Sequence, residues 1–128
     1  VTFVDTNVFM YAVGGEHPLR SEARDFFKAS LREGASLVTS AEVLQELLHA
    51  YLPVGRTETL DAALTLIEGC ADVVWPVEEE DVRLARALAE QHPALGARDL
   101  IHVACCFRGQ VKVVKTFDRG LGSVFGGG

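Results

Sequence analysis

The chain has 128 residues, of which 48% are apolar and 23% charged, enough for one domain with a real core. That composition excludes a disordered tail, and no apolar run approaches the roughly 18 residues of a membrane span. A net charge of −6 excludes nucleic-acid binding through bulk positive charge and leaves room only for a local site.

Thr2 to Val4 is predicted as a short buried strand running into Asp5, and Val8 to Val13 as a helical turn or two. This opening is apolar, but it lacks a basic flank and carries Asp5 and Asn7 in its middle, unlike a secretory leader. Gly14, Gly15 and Pro18 then break the chain. Residues 19–32 place Leu19, Ala23, Phe26, Phe27 and Leu31 at helical spacing, an amphipathic helix closed near Gly34. Ser36 to Thr39 is a second strand. A helix from Ser40 to Tyr51 follows and stops before Pro53. The next helix, over 57–69, has Leu60, Ala63, Leu64 and Ile67 as its apolar stripe, a core or subunit-contact face.

Val73 to Trp75 is a third short strand, ended by Pro76. Glu78, Glu79, Glu80 and Asp81 then put negative charge where the first turn of a helix favours it. That helix is expected to run to about Gln91, with His92, Pro93 and Gly96 as punctuation. Residues 97–107 form a largely apolar helix suited to burial, Val111 to Thr116 a fourth strand, and Asp118 to Leu121 a turn or short helix. The terminal Gly126, Gly127 and Gly128 are expected to fray. Apolar strands separated by helices, never by two-residue hairpin turns, predict an α/β fold. Residues 1–128 are therefore expected to be one domain, a parallel sheet with helices on both faces.

In such a sheet, ligands bind beyond the carboxyl ends of the strands. Asp5 directly follows the first strand, and Asp118 comes two residues after the fourth. Asp99 lies in the first turn of the helix 97–107, and Glu46 one and a half turns into the helix after the second strand. Acids from four separated segments can thus meet at one edge. Two like charges about 4 Å apart repel by roughly 4 kcal/mol at an effective dielectric near 20. A hard divalent cation, Mg²⁺ or Mn²⁺, is the usual way to offset this, and it supports phosphodiester hydrolysis. The motifs FVDTNVF and ARDLIHVACC each set a carboxylate in an otherwise core-like run, where it needs a partner.

Each acid also has a purely structural role open to it. Asp5 and Asp118 suit helix caps, Asp99 suits a first-turn dipole position, and Glu46 suits a surface helix position. Glu42 competes with Glu46, but Thr39-Ser40-Ala41-Glu42 fits a capping box with Thr39 as cap. That role occupies Glu42 and leaves Glu46 for the site. His102 reads as a packed core histidine, His49 as a surface residue, and Cys70, Cys105 and Cys106 as small core residues. Three such cysteines show neither a disulfide framework nor zinc spacing, which implies a reduced, cytoplasmic protein. Lys115, Arg119 and Arg98 are solvated charges with phosphate contact as the alternative.

Taken together, FVDTNVF at 3–9, SAEVLQELL at 40–48, ARDLIHVA at 97–104 and VKTFDRGL at 114–121 resemble the PIN-domain family, in particular the VapC-type toxin ribonucleases. The resemblance spans the chain in the family's order and spacing. It implies a three-layer α/β/α sandwich and a Mg²⁺- or Mn²⁺-dependent endoribonuclease acting on RNA. By the same resemblance the catalytic and metal-holding acids are Asp5, Glu46, Asp99 and Asp118, with Asn7 and Thr116 in support. A cognate antitoxin whose tail blocks the cleft and a homodimer are implied as partners. Residues 120–128 keep only Leu121, Val124 and Phe125 as apolar anchors, which leaves the family's usual final strand an open question.

Three other readings compete. A haloacid-dehalogenase-like phosphatase needs a second acid two residues after Asp5, and Asn7 stands there. A flap-type or other DNA nuclease is chemically close and separable by substrate. A catalytically silent PIN-like binding module would have lost an acid, and none is lost.

Overall fold

The computed structural model describes residues 1–126. At its centre β1 (Thr2–Val4) lies between β2 (Leu37–Ser40) and β4 (Val113–Lys115), and β3 (Ala71–Trp75) extends the sheet beyond β2. Every pairing is parallel, with Thr2 opposite both Leu37 and Val113. One face is packed by α1 (Thr6–Val13), α2 (Arg20–Glu33), α3 (Ala41–Tyr51) and α4 (Thr57–Cys70). The other carries α5 (Glu79–Leu88), α6 (Ala97–Arg108) and α7 (Arg119–Val124). The result is the expected three-layer α/β/α sandwich.

The core follows from the burial of both sheet faces. Phe3, Val4, Val8, Phe9, Val43 and Leu47 are fully buried on and around β1, and Val103, Ala104 and Leu121 build a second cluster under α5 to α7. The Phe3 ring stacks on Trp75 at 6.1 Å and tilts against His102 at 5.5 Å, tying β1 to β3 and α6. Gly109 makes this possible: a Cβ there would stand 2.5 Å from the Trp75 ring.

Several boundaries differ from expectation for local reasons. The first helix starts at Thr6 because Asp5 caps it, accepting the Thr6 N–H at 2.7 Å. The fifth helix stops at Leu88, after which Gln91 and His92 turn back to bond the Leu88 carbonyl. The fourth strand begins only at Val113, since the Val111 N–H bonds the Cys106 carbonyl to close α6. The third strand starts at Ala71, two residues before the expected Val73, and as an edge strand it leaves Val73 46% and Val74 40% exposed. Among the described residues no strand follows α7, in line with the few apolar anchors there. Of the terminal glycines expected to fray, Gly127 and Gly128 lie outside the described residues.

The acids of the fifth helix do more than meet a dipole. Glu78 and Asp81 form a capping box. Asp81, 1% exposed, also accepts a forked pair from Arg108, Nε to Oδ1 at 2.7 Å and Nη2 to Oδ2 at 3.0 Å. Burial pushes the Asp81 carboxyl up, but the Arg108 fork and the Glu78 N–H outweigh it and hold the pKa below the ordinary value. The start of α5 is thereby locked to the end of α6. Arg108→Ala would strand a buried carboxylate, and we expect it to destabilise the fold by about 3 kcal/mol in urea unfolding. Arg108→Lys should recover only part of that loss, because an ammonium cannot fork.

Candidate active site

Parallel pairing brings the chain ends of β1 and β4 side by side. The Asp5 N–H donates to the Lys115 carbonyl at 3.0 Å, extending the ladder by one residue. That contact leaves the Asp5 side chain at the mouth of the sheet with both oxygens engaged. Oδ1 accepts from Thr6 N–H, and Oδ2 accepts from the Thr116 hydroxyl at 2.7 Å. The Thr116 oxygen in turn accepts from Asp118 N–H at 2.9 Å and from Asn7 Nδ2 at 3.4 Å. Asn7 Oδ1 accepts from Phe117 N–H at 3.2 Å. The two chain segments are thus stitched together by Asn7 and Thr116.

Asp118 is the exposed cap of α7, with Oδ1 accepting from Gly120 N–H at 2.8 Å and Leu121 N–H at 3.2 Å. From the neighbouring strand, α3 carries Glu46 inward, its side chain 19% exposed. Glu46 hydrogen-bonds His102 of α6, whose Nε2 lies 3.6 Å from Asp5 Oδ1. Ligand-capable atoms of Asp5, Glu46 and His102 all fall within 4.8 Å of one another. Asp99, almost one turn before His102 on α6, lies outside that trio and lines an open cleft with Glu46, Gly96, Ala97 and Arg98. The four acids come to one edge, but Asp5 and Glu46 form the tight pair while Asp99 and Asp118 flank it.

The charges register this crowding. Burial raises the Asp5 pKa, opposed by the His102 imidazole and by the bonds from Thr116 and Thr6. Asp99 is pushed up to about 6, first by burial and then by the charges of Asp5 and Asp118. Burial pulls His102 down, yet its bond to Glu46 and the Asp5 charge outweigh this and raise its pKa. His102 is the side chain placed between Asp5 and Glu46, bonded to the second and 3.6 Å from the first. Among the described residues, the His102 Nδ1 has no hydrogen-bond partner, though it is buried. Two carboxylates beside a single imidazole form a mainly hard-oxygen donor set, which fits a Mg²⁺-like cation better than a thiophilic one.

Two expectations need correction. Thr39 does not cap the third helix: it is a fully buried strand residue whose hydroxyl donates to the Val4 carbonyl at 3.0 Å. The cap is Ser40, without a side-chain bond, so Glu42 belongs to no capping box. Glu42 instead sits at the rim, where burial raises its pKa and the Glu46 charge adds to that. His102 is buried as expected, but it is also a member of the site. The spacing Asp99-x-x-His102 on one helix face was its only signal in the sequence. Lys115 points away, pairing with Glu22 at 3.3 Å and lying over the rings of Phe26 and Phe117.

The PIN-domain family model matches residues 2–125. Ribonuclease VapC23 of Mycobacterium tuberculosis is 60% identical over 123 residues, which cover 96% of this chain and 97% of that one. The chain belongs to the PIN-domain family, among its VapC-type toxins. Solved toxin structures share the fold at lower identity. The M. tuberculosis toxin VapC20, described as cleaving the sarcin-ricin loop, superposes with a TM-score of 0.81 at 17% identity, covering 97% of this chain and 95% of that one. A toxin-antitoxin complex from Klebsiella pneumoniae gives 0.68 at 14% identity, covering 97% and 92%. Among the described residues of this VapC-type chain, no helix is long and apolar enough to cross a membrane.

The raised pKa values fix the sign of a pH effect. Folded Asp99 holds its proton to about pH 6, whereas the unfolded carboxyl releases it near 3.8, so stability falls as pH rises between them. His102 stabilises while protonated below its unfolded value of 6.5 and loses that contribution as pH rises through its folded value. Asp81 acts with the opposite sign, only below 3.8. In chelator, the melting temperature should therefore fall from pH 5 to pH 8, and Asp99→Asn should flatten the lower part of that fall. A melting temperature that climbs across this range would refute the assignment.

Proposed function

We propose that this chain is a metal-dependent endoribonuclease that hydrolyses RNA phosphodiesters, using Asp5, Glu46, Asp99 and Asp118 as its acidic centre. The observation that carries this reading is the meeting of Asp5, Glu46 and His102 within 4.8 Å, with the raised Asp99 beside them. Asp5, Asp99 and Asp118, with Glu46, would hold one or two Mg²⁺ or Mn²⁺ ions. When bound, such an ion supplies positive charge to the phosphate oxygens and lowers the pKa of water. Glu46 orients the attacking water in line with the leaving oxygen. A water oxygen bonds phosphorus and gives up one proton, the bond from phosphorus to the leaving sugar oxygen breaks, and that oxygen takes up a proton, so that none is gained or lost. Asn7 and Thr116 hold Asp5 and the Asp118 backbone in register.

The partner we assign is a cognate antitoxin whose basic tail enters the acidic cleft. Arginine suits it, since its fork pairs with carboxylates. We take residues 1–128 as one PIN-like domain, acting in the cytoplasm as a homodimer, the assembly common in similar toxins.

Glu46→Gln keeps side-chain shape but removes the charge, and it should abolish nearly all RNA cleavage while the protein still folds. Glu42→Gln should leave cleavage intact. With no capping box to lose, Glu42→Ala should shift stability by no more than about 0.5 kcal/mol. Sequencing of RNA ends after expression tests the substrate class, and a matched DNA assay separates a DNA nuclease. Loss of cleavage in Glu42→Gln with full activity in Glu46→Gln would reverse the assignment of the second acid.

Cation binding gives a second test. Mn²⁺ or Mg²⁺ should raise the melting temperature by mass action, about 2.7 kcal/mol of stabilisation at a hundredfold excess over Kd. Ca²⁺, larger and less demanding in geometry, should stabilise without supporting turnover. Thermal scans flat to millimolar Mn²⁺ would show that the acids hold no metal.

A further inference from the structure

A chain of net charge −6 can hold a polyanion beside acidic groups only through local contacts, and the cations are unevenly placed to do so. Arg20, Arg24, Lys28 and Arg32 are four of its twelve Lys and Arg, and they recur every fourth residue along α2, forming one ridge. Like charges at that spacing disfavour a helix. On α5 the same problem is neutralised, with Arg83 paired to Glu79 and Arg86 to Glu90, each at 2.6 Å. Among the described residues none of the four α2 cations makes an ion pair. Among the described residues Arg20 Nε is buried with no acceptor, and Arg24 gives only its Nε, to the Ala12 carbonyl at 2.9 Å.

Arg20, Arg24 and Lys28 line one open cleft with His17, which Glu16 and Asp25 also enter. Individual donors, not a bulk field, are therefore what this cleft offers an anion. It begins where an aromatic path from the acidic centre ends. Phe117 precedes Asp118 and is fixed by Asn7, its ring lies 5.6 Å from Tyr11, and Tyr11 stacks on exposed His17 at 4.2 Å and 23°. Aromatic faces leading onto unpaired cations match an unstacked strand, whose bases offer π-faces and whose backbone offers phosphates. A regular duplex hides those faces.

We propose that this surface is the track for single-stranded RNA flanking the scissile phosphate, with bases stacked against His17, Tyr11 and Phe117 and phosphates held by Arg20, Arg24 and Lys28. The proposal rests on the ribonuclease reading above. Its test uses the full chain carrying Glu46→Gln, which leaves RNA intact, and a fluorescein-labelled oligouridylate of about 12 nucleotides, within the range of single-strand site sizes. Anisotropy is followed between about 50 and 200 mM salt.

Arg20→Gln with Lys28→Gln should weaken binding about tenfold and lower the salt slope by about 1.4, since each of the two single-strand phosphate contacts contributes roughly 0.7. His17→Asn keeps an acceptor for the Leu19 N–H but removes the ring. It should weaken binding about fivefold and leave the salt slope unchanged, the mark of lost stacking. With Glu46 restored, the same changes should raise KM for RNA and spare kcat. Parental affinity and slope in both variants overturn the track while cleavage by the unmodified chain keeps the ribonuclease reading. No RNA cleavage by the unmodified chain overturns that reading itself. Variants that keep RNA affinity but no longer co-purify with a co-expressed antitoxin would assign the face to a protein partner and also overturn the track.

Discussion

The parallel pairing of β1 with β4 is the constraint on which the rest of the site depends. Because both strands run the same way, the residues just past their ends, Asp5 and Thr116, must emerge side by side. The hydroxyl of Thr116 then serves three neighbours at once, donating to Asp5 and accepting from Asp118 N–H and Asn7. An antiparallel partner would put its own carboxyl end at the far edge of the sheet and disperse the acids. Parallel strands require long crossovers, and here the crossovers are the helices that carry Glu46 and Asp99 to the same edge.

Convergence of this kind is unfavourable electrostatically, and the fold meets the cost with groups already present. The Thr6 N–H and the Thr116 hydroxyl each bond one oxygen of Asp5, the Gly120 and Leu121 N–H groups bond Asp118, and His102 lies between Asp5 and Glu46. What remains is visible in Asp99, which keeps its proton to about pH 6. The Asp81–Arg108 fork on the opposite side follows the other logic, a closed pair with every oxygen answered. The contrast separates a structural buried acid from acids with capacity left over.

Surface charge follows the same division. Cations on α5 are neutralised along their own helix, whereas those on α2 are left open beside an aromatic path to the centre. The chain's negative balance keeps bulk polyanions off most of its surface, so recognition must be concentrated where single donors and ring faces coincide.

By itself the sequence determined the order of strands and helices and the parallel sheet, because apolar runs and helical periodicity are local signals. It also marked Asp5, Asp99 and Asp118, since a carboxylate in an apolar run or at a strand end stands out without knowledge of the fold. Other features were settled only by tertiary contacts. Thr39 looks like a cap in sequence, yet its hydroxyl answers the Val4 carbonyl of the adjacent strand, a partner 35 residues away. His102 looks like core and is buried, but its ring nitrogen faces Glu46, 56 residues away, and that pairing has no local trace. The exposure of β3 was equally invisible, because an edge strand and a central one can carry the same apolar residues. Local pattern decides which elements form; which polar atoms face one another depends on how the sheet edge gathers them.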